Sequence, residues 1–231
     1  MKPRYTTVLL DADNTLFDFD AAEEQALQWL METLGLPAEK SARYLAINRA
    51  LWHQHDLGQI TADALVVERF RRFLEETGVQ EDPVALNKAY LNQLGTCPAL
   101  LPGALDLCRR LSQHCTLAIV TNGMPSVQHS RVAQSGLQPY LSFLFISGEM
   151  GCRKPERVFF EQVFQTMGLT EADKPCTLMV GDNLLSDVAG GQGFGLDTVW
   201  FARNAAVEHP KPVPTYVALN LKEIETIVLG A

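Results

Sequence analysis

The chain has 231 residues, 47% of them apolar and 20% charged, which suits a globular protein with a real core and excludes a wholly disordered or fibrous one. Lys and Arg number 19 against 27 Asp and Glu, a net charge of −8. Such a surface repels a phosphate backbone, so nucleic acid is not an expected partner, whereas a small anionic substrate stays open because a bound cation reverses the sign locally. The five cysteines are odd in number and lack CxxC spacing, so reduced thiols in a cytoplasmic protein are expected rather than a disulfide framework. No apolar run reaches 18 residues, and Val8-Leu9-Leu10 is too short for a signal peptide, so neither a membrane span nor a secretory leader is expected.

Short apolar runs recur along the chain, at Thr6 to Leu10, Thr116 to Val120, Leu144 to Ile146, Thr177 to Val180 and Thr198 to Phe201. Runs of this length and composition read as buried parallel strands. Helical stretches fall among them, at Gly103 to Gln113, Ser126 to Gly136, Glu156 to Met167 and Leu221 to Leu229, and the alternation predicts an open parallel α/β sheet. One interval breaks it. Ala21 to Leu34, Lys40 to Leu57, Thr61 to Thr77 and Pro83 to Leu94 all carry helical patterning, with Thr61 as an N-cap, Gly78 as a stop and Pro83 in a first turn. An all-helical insert is therefore expected after the first strand, giving a core of 1–18 and 100–231 and an insert of 19–99. A crossover this long is usually a functional module such as a lid.

Four strand ends carry chemistry. The first is followed by Asp11-Ala12-Asp13-Asn14-Thr15, the second ends in Thr121-Asn122-Gly123, Lys154-Pro155 precedes a helix after the third, and the fourth runs into Gly181-Asp182 and then Asp187. Each alone also fits an ordinary turn or a solvated side chain. All four, however, fall at carboxyl ends, where an open α/β sheet binds its ligand. Carboxylates without His or Cys suit a hard, oxygen-bound cation, Mg²⁺. With a lysine and a hydroxyl added, the set suits a phosphoryl group. Gly190, Gly191, Gly193 and Gly195 read as loose, close-approach backbone.

The order Asp-x-Asp-x-Thr, Thr-Asn-Gly, Lys-Pro and Gly-Asp-x-x-x-x-Asp resembles the four motifs of the haloacid dehalogenase-like (HAD) superfamily. Within it, Asp11 to Phe17, the stretch Ala46 to Trp52 and Thr121-Asn122-Gly123 resemble the pyrimidine 5′-nucleotidases. The resemblance implies a Rossmann-like HAD core with a type 1 helical cap. It implies Asp11 as nucleophile, Asp13 as general acid and base, and Lys154 as a catalytic and phosphate-binding cation beside Thr121 and Asn122. It places Mg²⁺ on Asp11, the Asp13 carbonyl and Asp182, with Asp187 a water-mediated ligand or a partner of Lys154. Asn14 stands where many relatives carry Gly.

The expected function is a Mg²⁺-dependent phosphomonoesterase acting through an aspartyl-phosphate on a small phosphate monoester, a pyrimidine nucleoside 5′-monophosphate, by a monomer or homodimer. Rivals are a phosphoglycolate or sugar phosphatase, a phosphomutase, a haloacid dehalogenase and a non-enzymatic binding protein. Asp13 together with Asp182 speaks against the dehalogenase. Phe17, Phe19, Tyr44, Trp52 and Phe70 are candidates for holding a base. His53 and His55 point about 200° apart on a helix and cannot share a metal. Cys152, beside Arg153 and Lys154, is a candidate for an activated thiol but reads more simply as a bystander.

Overall fold

A computed structural model describes residues 3–203 and 210–230. Six strands, β1 (Thr7–Leu10), β2 (Thr116–Thr121), β3 (Phe143–Ile146), β4 (Thr177–Gly181), β5 (Asp197–Phe201) and β6 (Tyr216–Ala218), form one sheet in the order β3-β2-β1-β4-β5-β6. Every pairing is parallel, with Thr7 of β1 opposite Thr116 of β2 and Thr177 of β4. The helices are α1 (Phe19–Leu34), α2 (Ser41–Asp56), α3 (Ala62–Thr77), α4 (Pro83–Gly95), α5 (Ala104–Leu111), α6 (Pro125–Ser135), α7 (Ser147–Met150), α8 (Arg157–Met167), α9 (Ala189–Phe194) and α10 (Leu221–Leu229). Among the described residues no helix is long and apolar enough to cross a membrane.

The chain divides into two compact units, residues 1–19 with 99–231 and residues 20–98. In the sheet unit both faces are buried, which is why its strands read as continuous apolar runs. Val8, Leu10, Ile119 and Val180 join a core with Leu107 and Leu111 of α5 and Ile224 and Val228 of α10. Leu9, Val120 and Met179 pack on the other face with Phe160 and Phe164 of α8 and Phe194 of α9. Two segments at the edge of this unit pair antiparallel: Leu101 N donates to Leu16 O (2.8 Å) and Asp18 N to Ala99 O (3.0 Å), with a bridge between Phe17 and Leu100. They form a neck, through which the chain leaves the sheet unit and returns.

The second unit is wholly helical, α1 to α4. Thr61 caps α3, its hydroxyl accepting from Ala64 N (3.3 Å), and Gly78 ends that helix at φ +73°. Asp82 caps α4, ahead of Pro83. Its interior holds an aromatic cluster of Tyr44, Phe70, Phe73 and Tyr90 and a buried polar chain. In that chain Asn48 donates to Glu23 (2.9 Å), and Arg69 donates to Asn48 (3.2 Å) and Asn87 (2.9 Å).

Three features depart from the sequence reading. β6 is a strand of three residues at the sheet edge, too short to show a pattern. The glycine run is not loose: Gly190, Gly191 and Gly193 lie within α9, and a Cβ on Gly190 would meet Phe160 at 2.7 Å. The glycines let a helix press onto α8 and the sheet. The four-residue α7 has no counterpart in the sequence pattern either.

Candidate active site

The strand order reverses direction between β1 and β4, the switch point at which open α/β sheets bind ligands. The loops leaving these two strands carry Asp11 and Asp182. Asp11 N continues the ladder, donating to Val180 O (2.8 Å), so the register of β1 against β4 fixes where its carboxylate sits.

Lys154 is the hub. Its side chain is 1% exposed, and Nζ donates to Asp11 Oδ1 (2.6 Å), Asp187 Oδ1 (2.6 Å) and Val120 O (2.8 Å). All three ammonium donors are thus used. Burial pulls this amine down, but the two carboxylates outweigh it and hold the group well above the usual lysine range. Asn122 fixes the lysine from behind: its amide donates to Lys154 O (2.8 Å) and accepts from Lys154 N (3.0 Å). These bonds use the amide oxygen and one N–H of the side chain expected among the phosphate ligands; an Asn amide carries a second N–H. Thr121 Oγ1 accepts from Gly123 N (3.0 Å), and its own proton stays available to donate.

The carboxylates crowd. Oxygens of Asp11, Asp182 and Asp187 lie within 4.8 Å of one another. Burial pushes the Asp11 carboxyl up to about 7, against the pull of Lys154 and helped by Asp187 and Asp13. Burial, then Asp11 and Asp187, raise Asp182 well above the carboxylate range. Acids held this close favour a proton or a cation among them. An all-oxygen set with excess negative charge fits a hard divalent ion. Asp13 is apart from this cluster: Gln128 Nε2 donates to its Oδ2 (2.7 Å) and Arg131 Nη1 to its Oδ1 (2.5 Å), and its side chain remains 27% exposed.

Local backbone explains the spacing. Asn14 has φ +58°, a left-handed conformation that Asn tolerates better than most residues. The tight turn closes with Asn14 N donating to Phe17 O (2.8 Å), while Thr15 Oγ1 donates to Asp11 Oδ2 (3.3 Å). After Asp182 the chain makes a π-helical turn, Leu184–Val188. Asn183 caps it, accepting from Leu185 N (2.8 Å) and Ser186 N (3.2 Å), and donates its own N–H to Asp187 Oδ2 (3.0 Å). Trp200 Nε1 donates to Asp182 O (2.8 Å). A Cβ on Gly181 would lie 2.1 Å from Asp187 Oδ2, so only glycine lets that carboxylate lie against the strand end.

A sequence profile described as haloacid dehalogenase-like hydrolase matches residues 5–195. The chain belongs to this family. Among its HAD-like relatives are pyrimidine 5′-nucleotidase PynA of Streptococcus pneumoniae, 35% identical and covering 95% of this chain and 93% of its own, and pyrimidine 5′-nucleotidase YjjG of Escherichia coli, 32% identical and covering 97% and 98%. The structure is similar to that of the HAD-hydrolase YfnB of Bacillus subtilis, solved bound to magnesium and revealing interdomain movement. That likeness has a TM-score of 0.90 at 37% identity, over 97% of this chain and 99% of the other.

Several candidates fall away. Phe17, Tyr44 and Phe70 are fully buried within their own units and have no face to offer a base; Phe19 and Trp52 are half-buried. His55 is buried and His53 exposed, in keeping with their opposite directions. Burial, with Glu156 nearby, raises the Cys152 thiol, so it is not activated. Sequence reasoning passed over Gln128, Arg131, Asn183 and Trp200. The first two sit three residues apart on α6, the one spacing that hinted at a shared face.

Proposed function

We propose that this HAD-family hydrolase is a magnesium-dependent phosphomonoesterase that forms an aspartyl-phosphate on Asp11, with pyrimidine nucleoside 5′-monophosphates as its substrates. The observation that carries the reading is the pairing of two carboxylates with different surroundings on one loop. Asp11 is buried against Lys154, and Asp13, two residues on, is partly exposed and held by neutral and cationic donors from α6. This difference supports Asp11 as the nucleophile and Asp13 as the acid and base.

In this scheme the Asp11 carboxylate attacks phosphorus. Asp13 gives its proton to the ester oxygen as the bond to the leaving alcohol breaks. Asp13, now a carboxylate, takes a proton from the water that attacks the aspartyl-phosphate, and the acyl–phosphate P–O bond breaks to return Asp11 and release phosphate. The Thr121 hydroxyl and the N–H groups following β2 hold the phosphoryl oxygens, and Lys154 joins them by passing the N–H now on Asp11 to a phosphoryl oxygen as Asp11 turns to phosphorus. Asp11, the Asp13 carbonyl and Asp182 would hold magnesium, with Asp187 acting through Lys154. Bound magnesium offsets the carboxylate charge and polarises the phosphoryl oxygens.

The substrate class rests on the two nucleotidases and on the sequence resemblance, and residues 19–99 are proposed as the cap that contacts the leaving group. The experiment is hydrolysis of 4-nitrophenyl phosphate with and without Mg²⁺, then a panel of nucleotides, sugar phosphates and phosphoglycolate. Activity that survives chelation removes the metal-dependent scheme. A higher kcat/KM for phosphoglycolate or a sugar phosphate than for every pyrimidine monophosphate removes the nucleotidase reading and leaves the phosphatase.

A further inference from the structure

Gln128 and Arg131 lie one helical turn apart on α6 and aim at one target. Gln128 is 1% exposed and Arg131 is fully buried. Each takes a different oxygen of Asp13, at 2.7 Å and 2.5 Å. One donor per oxygen fixes the tilt as well as the place of a carboxylate, which a single ion pair does not do. The grip extends to the loop that carries Asp13. The Arg131 guanidinium lies 4.4 Å from the ring centroid of Phe17, four residues along. Phe17 is itself bridged to Asp13 through the backbone. The arginine is thus held between the carboxylate and the aromatic face of one tight turn, with cation–π attraction on one side and charge on the other. Room for this comes from Gly123, where a Cβ would lie 2.1 Å from Gln128 Nε2. That glycine closes Thr121-Asn122-Gly123, so the segment ending β2 also admits the side chain that reaches Asp13.

We propose that Gln128 and Arg131 are positioning residues for Asp13, setting the direction in which it hands its proton to the leaving oxygen. The inference rests on the reading of Asp13 as general acid. Each Asp13 oxygen accepts one bond and keeps a second position that can carry the proton to be handed on, and 27% of the side chain is exposed. Geometry held within about 0.5 Å is what an acid group needs to act efficiently.

The test uses the full-length enzyme with Mg²⁺ and reads kcat/KM, which reports phosphoryl transfer to Asp11 and not the later hydrolysis. Substrates are aryl phosphates of graded leaving-group pKa together with an alkyl phosphate. Arg131→Met is expected to lower kcat/KM on the alkyl phosphate about 10- to 100-fold, part of the 10²–10⁴-fold that an acid supplies. On 4-nitrophenyl phosphate the loss should stay below about threefold, since that leaving group needs little proton help. Arg131→Lys should recover part of the loss, and Gln128→Met should act in the same direction more weakly. If Arg131→Met does not fold, as judged by circular dichroism, the other two variants carry the test. An equal loss on all substrates, or none on any, assigns the pair a purely structural role and overturns the inference. Asp13→Asn separates this from the underlying reading. If Asp13→Asn steepens the leaving-group dependence and the α6 variants do not, only the positioning role fails. If Asp13→Asn shows no such dependence, the general-acid reading fails and takes this inference with it.

Discussion

Gly181→Ala adds one methyl group, yet the structure predicts a large effect. The new Cβ would lie 2.1 Å from Asp187 Oδ2, 2.3 Å from its Cγ and 2.6 Å from its Cβ. Ordinary carbon contacts start near 3.5 Å, so the Asp187 side chain must retreat by more than an ångström. Its bonds to Lys154 Nζ (2.6 Å) and Asn183 N (3.0 Å) would then both be lost. Hydrogen bonds to charged groups contribute about 1.5–3 kcal/mol each, so the expected cost is about 3–6 kcal/mol, in line with the roughly 3–5 kcal/mol for breaking a buried ion pair. At about 2–4 °C per kcal/mol for a chain of this size, Tm should fall by roughly 6–24 °C, as measured by calorimetry in metal-free buffer. Turnover should fall too, because Lys154 loses one of its two anchoring carboxylates. Gly181→Ala in an Asp187→Gly background should cost little more than Asp187→Gly alone, because the clash is with the side chain removed. A single variant that melts within about 2 °C of wild type, or strictly additive costs in the double variant, would refute the argument.

Asp11→Asn should abolish turnover of 4-nitrophenyl phosphate while leaving the circular dichroism spectrum unchanged, since the amide keeps the shape but is a poor nucleophile; turnover well above the uncatalysed rate would exclude a covalent path through Asp11. Asn122→Ala should lower kcat by about tenfold and Tm by a few degrees, through two lost bonds of about 1 kcal/mol each that now hold the Lys154 backbone, and an unchanged kcat would release Asn122 from that role. In the helical unit, burial raises the Glu23 carboxyl above its ordinary 4.5 although the Asn48 amide and Arg49 and Arg69 oppose the shift. The folded state therefore binds the proton more tightly than the unfolded chain, so the stabilisation is full below pH 4.5 and is lost as pH rises through the folded value. Urea denaturation should show Glu23→Gln gaining on wild type between pH 4.5 and 8; a constant difference would mean the carboxyl is not shifted. Phe70→Leu should cost the helical unit about 1–2 kcal/mol with no change in relative kcat/KM among pyrimidine monophosphates, because its ring is fully buried.

Much of this was legible in the residues, for physical reasons that differ from place to place. A parallel strand buried on both faces must be apolar throughout, so β1, β2, β4 and β5 stood out as runs ending abruptly in polar residues. The proposed site lies at the ends of β1, β2 and β4 and in the segment after β3, which made Asp11, Thr121, Asp182 and Lys154 visible together. Caps announced the helices: Thr61, Gly78 and Pro83 sit within a residue of the ends they mark. Side-chain partners were not legible. Nothing in the sequence shows the Asn122 amide on the Lys154 backbone, and nothing there marks Arg131 as buried. Aromatic residues mislead in the same way, since a ring that fills a core and a ring that stacks on a ligand share one sequence signature. Glycine was ambiguous too, because close packing of α9 and a flexible loop both call for it.

The neck at Leu16–Asp18 and Ala99–Leu101 has a consequence for how the polypeptide assembles. Neighbouring strands β1 and β2 lie more than a hundred residues apart in the chain, a separation that ordinarily slows pairing. Once the neck zips, the effective loop shrinks to residues 11–15 and 102–115 on its sheet side, and the closure entropy shrinks with it. The helices of the insert draw on local contacts and can form while β2 is still being synthesised. By the same logic the insert is a cassette. Its two ends are already joined by backbone hydrogen bonds inside the sheet unit, so segments of other lengths can be spliced between Asp18 and Ala99 without altering the register of any strand.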